Sequence, residues 1–140
     1  MSSPIKLAEF WPYQTVVLAD LISRHTLKVV KEHGQLNLSQ WRVLAAVAEE
    51  EGRMAASVVK VTPMDKGIVS RAVAWLIGNG LISRKTDPKD RRRSELFLTH
   101  KGRRQYNKIR QALILVLPKD PEFNKLLGTH IDNLRELMQD

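Results

Sequence analysis

The chain has 140 residues, 43% of them apolar, and carries 23 basic against 15 acidic side chains for a net charge of +8. That is enough for one domain with a real core and too little for two, and it excludes wholesale disorder. The absence of cysteine excludes disulfides, thiolate metal sites and a cysteine redox switch, while the basic balance points to a polyanionic partner, either nucleic acid or an anionic membrane surface.

The start, Met1-Ser2-Ser3-Pro4-Ile5-Lys6, lacks the basic opening and long apolar run of a signal peptide. No run of about 18 apolar residues could span a bilayer. The expectation is a cytoplasmic protein with no membrane partner. From about Phe10 to Lys31, apolar Val16, Val17, Leu18, Leu21 and Ile22 make one broad face, and Arg24, Lys28 and Lys31 follow at helical spacing. This predicts a long amphipathic helix stopped by Gly34. A second helix is predicted from Ser39, whose hydroxyl is placed to cap it, with Leu38 and Val43 as a hydrophobic staple. It runs through Leu44 and Val47 and ends in Glu49-Glu50-Glu51-Gly52, read as a solvated helix end. A short third helix covers Ala55 to Val61. Thr62-Pro63-Met64-Asp65 then opens a fourth, with Thr62 as cap, Pro63 at its first position and Asp65 in the reciprocal box position. Gly78-Asn79-Gly80 ends it.

The period then changes from helical to alternating. Leu81 to Thr86 reads as a strand, Asp87-Pro88-Lys89-Asp90 as a turn leading into Arg91, Arg92 and Arg93, and Ser94 to Leu98 as the returning strand, with Leu96 and Leu98 alternating against Glu95 and Phe97. Thr99 caps a fifth helix carrying Tyr106, Ile109, Leu113 and Val116. Asp120-Pro121 opens a sixth, with Phe123, Leu127, Ile131, Leu134 and Met138 along one side. The fold class is therefore mainly α: a winged helix-turn-helix with long terminal dimerisation helices. Residues 1–140 form a single domain, with the winged lobe over 36–99 and the helical lobe over 5–34 and 100–140. The first, fifth and sixth helices lie outside the winged unit, and their spare apolar stripes point to a second copy of the chain.

Two features give the basic charge a target. At about 100° per residue, Val69, Ala72, Val73 and Leu76 of the fourth helix face inward, while Gly67, Ser70, Arg71, Ala74 and Gly78 face outward. Small residues allow close approach, and an arginine among them can read guanine bidentately in a major groove. A merely solvated face would be richer in Glu and Lys. Lys66 sits at the helix start, where a phosphate contact is natural. The stretch from Arg84 to Arg104 holds nine basic residues and three acidic ones, a net of +6 out of +8. Arginines at a hairpin tip suit the negative potential of a narrow minor groove. Double-stranded DNA is the partner this implies.

Asp87-Pro88-Lys89-Asp90-Arg91-Arg92, followed by Leu96-Phe97-Leu98-Thr99-His100-Lys101-Gly102, resembles the wing and following helix start of the MarR family of bacterial regulators. Met64 to Val73 resembles that family's recognition helix. The match is specific from about Leu38 to Gly102, and Met54 to Val61 departs from the usual third helix. The resemblance implies an obligate homodimer built from the first, fifth and sixth helices, a pseudo-palindromic operator, and a transcriptional regulator read as a repressor. It implies base reading by Ser70 and Arg71, and a wing pair in which Asp90 orients Arg92. With their neighbours the DNA-facing set becomes Thr62, Met64, Lys66, Gly67, Ser70, Arg71, Lys89, Asp90, Arg91, Arg92 and Arg93. The resemblance also implies a small organic effector, aromatic or anionic, bound between the dimerising helices and the winged unit, where Trp41, Arg42 and Tyr106 are candidates for its lining.

Other constellations carry less. Gly78-Asn79-Gly80 follows a helix and precedes a strand, the wrong order for cradling a dinucleotide. His25, His33, His100 and His130 have no ligand spacing, and no acidic loop suggests an oxygen-ligand metal. No nucleophile elbow, carboxylate pair or P-loop appears, so neither an enzyme nor a cofactor is expected. Trp75 falls to the side of the fourth helix and is expected to pack on the hairpin. The rival reading is a winged-helix module that binds protein and has lost DNA; Arg71 and the arginine wing argue against it.

Overall fold

The computed structural model describes residues 2–139, and among these it has six α-helices and one two-stranded sheet. After a 3-10 turn at Leu7–Glu9 come α1 (Trp11–Gly34), α2 (Leu38–Glu49), α3 (Ala55–Val61) and α4 (Lys66–Gly78). The hairpin β1 (Ile82–Thr86) and β2 (Ser94–Leu98) follows, then α5 (His100–Val116) and α6 (Pro121–Leu137). This is the predicted order, with α3 and β2 at the predicted bounds.

Several helix ends are made by other residues than the sequence suggests. Ser39 does not cap α2. Asn37 does: its side chain accepts the Gln40 amide N–H at 2.8 Å while Gln40 Oε1 accepts the Asn37 N–H at 3.0 Å, a complete capping box. Thr62 does not cap α4 either. Its hydroxyl donates back to the Val58 carbonyl at 2.7 Å and so ends α3, while Asp65 caps α4 by accepting the Ile68 N–H at 2.8 Å. In both cases the competing polar residue lies two or three positions away, and local spacing does not decide between them. Gly34 remains helical, and the left-handed residue that stops α1 is Gln35, at φ 56°. Gly34 instead lies against α5, where an added Cβ would displace the ends of the Gln105 and Ile109 side chains.

The core lies where α2, α3 and α4 meet the hairpin and α5. Val43, Leu44 and Val47 of α2, Val58 of α3, Val69, Val73 and Leu76 of α4, Leu96 of β2 and Ile109 of α5 are all fully buried. The hairpin is antiparallel, pairing Ile82 with Leu98, Arg84 with Leu96 and Thr86 with Ser94. Only Ile82 and Leu96 of its ten residues are buried. Phe97, expected on the polar side, is half-buried because its ring lies over Gly52, which is at φ 93°. Trp75 does not pack on the hairpin. It lies beside Lys31, Gln35, Leu36 and Gln40 at the α1–α2 turn, and it is 36% exposed.

The start of α5 is held tightly against the start of the hairpin. Thr99 caps α5 by accepting the Gly102 N–H at 3.0 Å, and its own hydroxyl donates to the Gly80 carbonyl at 2.6 Å. The Thr99 N–H donates to the Leu81 carbonyl at 3.1 Å. Gly102 lies directly against that carbonyl, and a Cβ at this position would overlap its oxygen. Backbone cannot move aside as a flexible side chain can. Gly102→Ala should therefore lower stability by about 1–3 kcal/mol as an overpacked site, although alanine favours a helix. The midpoint of urea unfolding measures this, and an unchanged or raised midpoint would contradict the packing described.

Candidate nucleic-acid interface

α4 presents the two faces that its sequence requires. Val69, Ala72, Val73 and Leu76 are buried, and Gly67, Ser70, Arg71, Ala74 and Gly78 are exposed. The bare backbone at Gly67 leaves room for the Arg71 guanidinium: Arg71 Nη1 lies 3.4 Å from where a Cβ would sit. Lys66 is the first residue of α4 and is exposed beside the free amides of the first turn. Two members of the expected set lie differently. Met64 is 6% exposed and belongs to the core cluster, so its side chain anchors the helix start from inside. Thr62 is half-buried, with its hydroxyl committed to Val58.

The wing tip is ordered by its own backbone. Asp87 N–H donates to the Arg93 carbonyl at 2.9 Å, and Arg93 N–H to the Asp90 carbonyl at 3.0 Å. Asp87 Oδ1 accepts the Lys89 N–H at 2.9 Å, and Asp90 Oδ1 accepts the Arg92 N–H at 3.0 Å. Asp90 thus engages Arg92 through the main chain, as an Asx turn does, and leaves the guanidinium free. Lys89, Arg91, Arg92 and Arg93 are exposed, and among the described residues none of them is in an ion pair. Five donors per guanidinium are therefore turned to solvent at the end of a hairpin.

The acidic stretch after α2 is not merely a solvated end. Gly52 N–H donates to the Leu96 carbonyl at 2.8 Å and Leu96 N–H to the Arg53 carbonyl at 3.0 Å, so this turn closes the outer edge of β2. Glu51 accepts the Leu98 N–H at 2.9 Å and pairs with Arg103 of α5 at 2.9 Å. The Arg103 guanidinium, helped by the Leu98 amide, holds the Glu51 carboxyl below the ordinary carboxylate range. Arg53 is 8% exposed, with Nη2 3.0 Å from Glu50 and 3.7 Å from Glu49, while Nε and Nη1 are buried with no partner among the described residues. No local pattern signals these roles, because Leu98 and Arg103 lie 47 and 52 positions away from Glu51.

The helices outside the winged unit leave apolar faces bare. α6 buries no residue, and Phe123, Leu126, Ile131 and Leu134 are exposed. Val16, Val17, Leu18, Leu21 and Ile22 of α1 are also exposed. Trp11 meets the His130 ring edge-on at 5.5 Å, beside a mainly apolar cavity of about 330 Å³ between α1 and α6. Trp41 and Tyr106, candidates for an effector lining, stack on each other at 5.7 Å, and Arg42 donates to the Ser23 hydroxyl at 3.4 Å. Among the described residues no helix is long and apolar enough to cross a membrane.

Residues 35–93 match the model of the MarR family. Over 85 residues the chain is 28% identical to the transcriptional regulator HosA of Escherichia coli O111:H-, a match covering 61% of this chain and 63% of HosA. The matched part thus spans less than two thirds of that curated relative. A MarR transcriptional regulator from Methanosarcina mazei Go1 superposes with a TM-score of 0.75 at 27% identity, covering 93% of this chain and 99% of that one. Sco3205 of Streptomyces coelicolor, a MarR family transcriptional regulator in complex with DNA, superposes with a TM-score of 0.77 at 19% identity, covering 100% of this chain and 93% of its own. The winged helix-turn-helix protein described here thus shares its fold with MarR family regulators along the chain, and it resembles that family in sequence from the turn before α2 to the tip of the wing.

Proposed function

We propose that the protein is a sequence-specific DNA-binding regulator of transcription that binds a pseudo-palindromic operator as a homodimer in the cytoplasm and acts as a repressor. The observation that carries this reading is the pairing of two exposed surfaces in one unit. α4 offers a stripe of small residues with Ser70 and Arg71, and the adjoining wing carries four basic side chains without an internal partner among the described residues. In this reading Ser70 and Arg71 meet base edges in the major groove, Lys66 and the bare backbone at Gly67 lie along phosphates, and Lys89, Arg91, Arg92 and Arg93 enter the minor groove. Asp90 holds the backbone from which Arg92 projects. Thr62 and Met64 shape the approach to α4 from behind. The winged lobe reads DNA and the helical lobe dimerises.

The rival reading, a winged-helix module that binds protein alone, leaves the concentration of free arginine on the wing without a purpose. A gel-shift titration with random duplex DNA over several salt concentrations separates the two, because phosphate binding carries a steep salt dependence. A small organic effector, aromatic or anionic, belongs to the same proposal. Its entry between the lobes would part the Trp41–Tyr106 stack.

The second copy follows from the bare faces of α1 and α6, since a helix that buries nothing has little to hold it in water. Light scattering at micromolar concentration should give the mass of two chains, and a monomeric mass would remove the dimer from the proposal. Two-fold symmetry should then place the half-sites about 34 Å apart, one turn of duplex.

Arg71→Ala should cost about 1–3 kcal/mol in operator affinity and relax preference at one base pair in each half-site. Selection from a random library with wild type and variant measures this, and an unchanged recovered motif would reduce Arg71 to a phosphate contact. Arg92→Ala should weaken binding to all sequences alike and lower the slope of log affinity against log salt by about one. An unchanged slope would place the Arg92 side chain off the DNA.

A further inference from the structure

We propose that Glu51 is a positioning residue for DNA binding, one that fixes the wing to α5 and so sets where the wing's arginines lie relative to the dimerising helices. The inference rests on the DNA-binding and dimer reading above and goes beyond it, because Glu51 lies outside both the recognition helix and the wing tip.

The geometry starts at the outer edge of β2. At Leu96 that edge is satisfied by backbone, with Gly52 donating to it and Arg53 accepting from it. Two residues further along, the edge is satisfied by a side chain: Glu51 Oε1 accepts the Leu98 N–H at 2.9 Å. The second oxygen of the same carboxylate takes Arg103 Nη2 at 2.9 Å. Leu98 is the last residue of the wing, and Arg103 lies in the first turn of α5. One carboxylate therefore joins the turn after α2, the root of the wing and the helix that leads to the dimer face.

Such a link matters more for direction than for stability. The Glu51 and Arg103 side chains are 32% and 54% exposed, and exposed pairs add little to global stability. The hairpin, however, is a lever. From Lys85 to Arg93 only Asp87 is even partly buried, so the tip has almost no packing of its own. Five residues at about 3.4 Å each carry the tip some 15 Å or more beyond the root. A small rotation at Leu98 becomes a shift of ångströms at Arg92. A phosphate or groove contact tolerates no such displacement.

The test uses full-length dimer and a duplex recovered by selection with the wild-type protein. Glu51→Ala removes both bonds. Glu51→Gln keeps an acceptor for Leu98 and loses the charge pair, as Arg103→Gln does from the other side. Glu51→Ala is expected to weaken binding about fivefold to tenfold and to lower the salt slope by about one to two units as wing contacts are lost. Arg92→Ala should add little on top of it, because the same contacts are already gone. Glu51→Gln and Arg103→Gln should fall between wild type and Glu51→Ala, and close to each other. Amide exchange at Leu98 should quicken in Glu51→Ala and stay near wild type in Glu51→Gln, while melting temperatures change little. Variants that keep the wild-type affinity and salt slope would overturn the proposal, as would losses that merely track the unfolded fraction. If Glu51→Ala does not fold, the Gln pair decides by the same slopes. A wild-type protein that binds no duplex overturns the DNA reading and this inference together, whereas wild-type binding with indifferent variants overturns this inference alone.

Discussion

A hairpin of two five-residue strands does not hold itself together in water, and this one must also extend away from the body. The structure depends on closing its open edge. The turn after α2 supplies the closure, with Gly52 and Arg53 bonding Leu96 through the backbone and Glu51 bonding Leu98 through its carboxylate. On the other strand Ile82 is buried in the core, and the Leu81 carbonyl receives the Thr99 amide. The hairpin is thus clamped at its base from both sides and free at its tip. That division explains why packing ends near Leu96 and charge begins at once beyond it.

The winged unit also separates polar work from apolar work. The core among α2, α3, α4 and α5 is almost wholly aliphatic, with fully buried Val, Leu and Ile. Trp41 and Met64 complete it, and outside this cluster Arg53 is buried, its guanidinium only partly satisfied by Glu49 and Glu50. A buried cation with unpaired donors is costly, and the neighbouring acids reduce that cost. The glutamate run 49–51 therefore balances two arginines, Arg53 and Arg103, that lie inside the fold's own framework. From Ile82 to Leu98 the wing holds six basic and three acidic side chains, a positive surplus of three. It is available for an external polyanion because the acids of the tip, Asp87 and Asp90, are spent on backbone amides.

The terminal helices follow a different rule. α1 is 24 residues long yet buries only Val29 and Val30, near its end, where it approaches α5. There Gly34 lies against the ends of the Gln105 and Ile109 side chains. Toward its start, α1 meets the 3-10 turn, where Gln14 donates to the Ala8 carbonyl, and α6, where Trp11 meets His130. The dimer contact proposed for these helices lies far along the chain from the proposed DNA-facing surface, and α5 connects the two. α5 begins at the root of the wing, under Thr99 and Gly102, packs Tyr106, Ile109 and Leu113 on the core, and exposes Ile114, Leu115 and Val116 at its end.

The sequence alone determined the order of elements, the two faces of α4 and the placement of charge on the wing. Each of these is written in local periodicity or local composition, where 3.6-residue and two-residue patterns and Pro or Gly punctuation suffice. The opening caps of α5 at Thr99 and of α6 at Asp120 were also legible, because no rival capping residue stood nearby. Tertiary structure decided the rest. Asn37 and Asp65 cap where Ser39 and Thr62 were the local candidates, because helix starts are fixed by how the helices pack. Met64 turned inward, and Trp75 settled by the α1–α2 turn, since which side of a helix is covered depends on neighbours that periodicity does not name. Glu51 and Arg53 became structural for the same reason: a carboxylate read as solvated gains its role only when folding brings Leu98 and Arg103 to it from about fifty residues away.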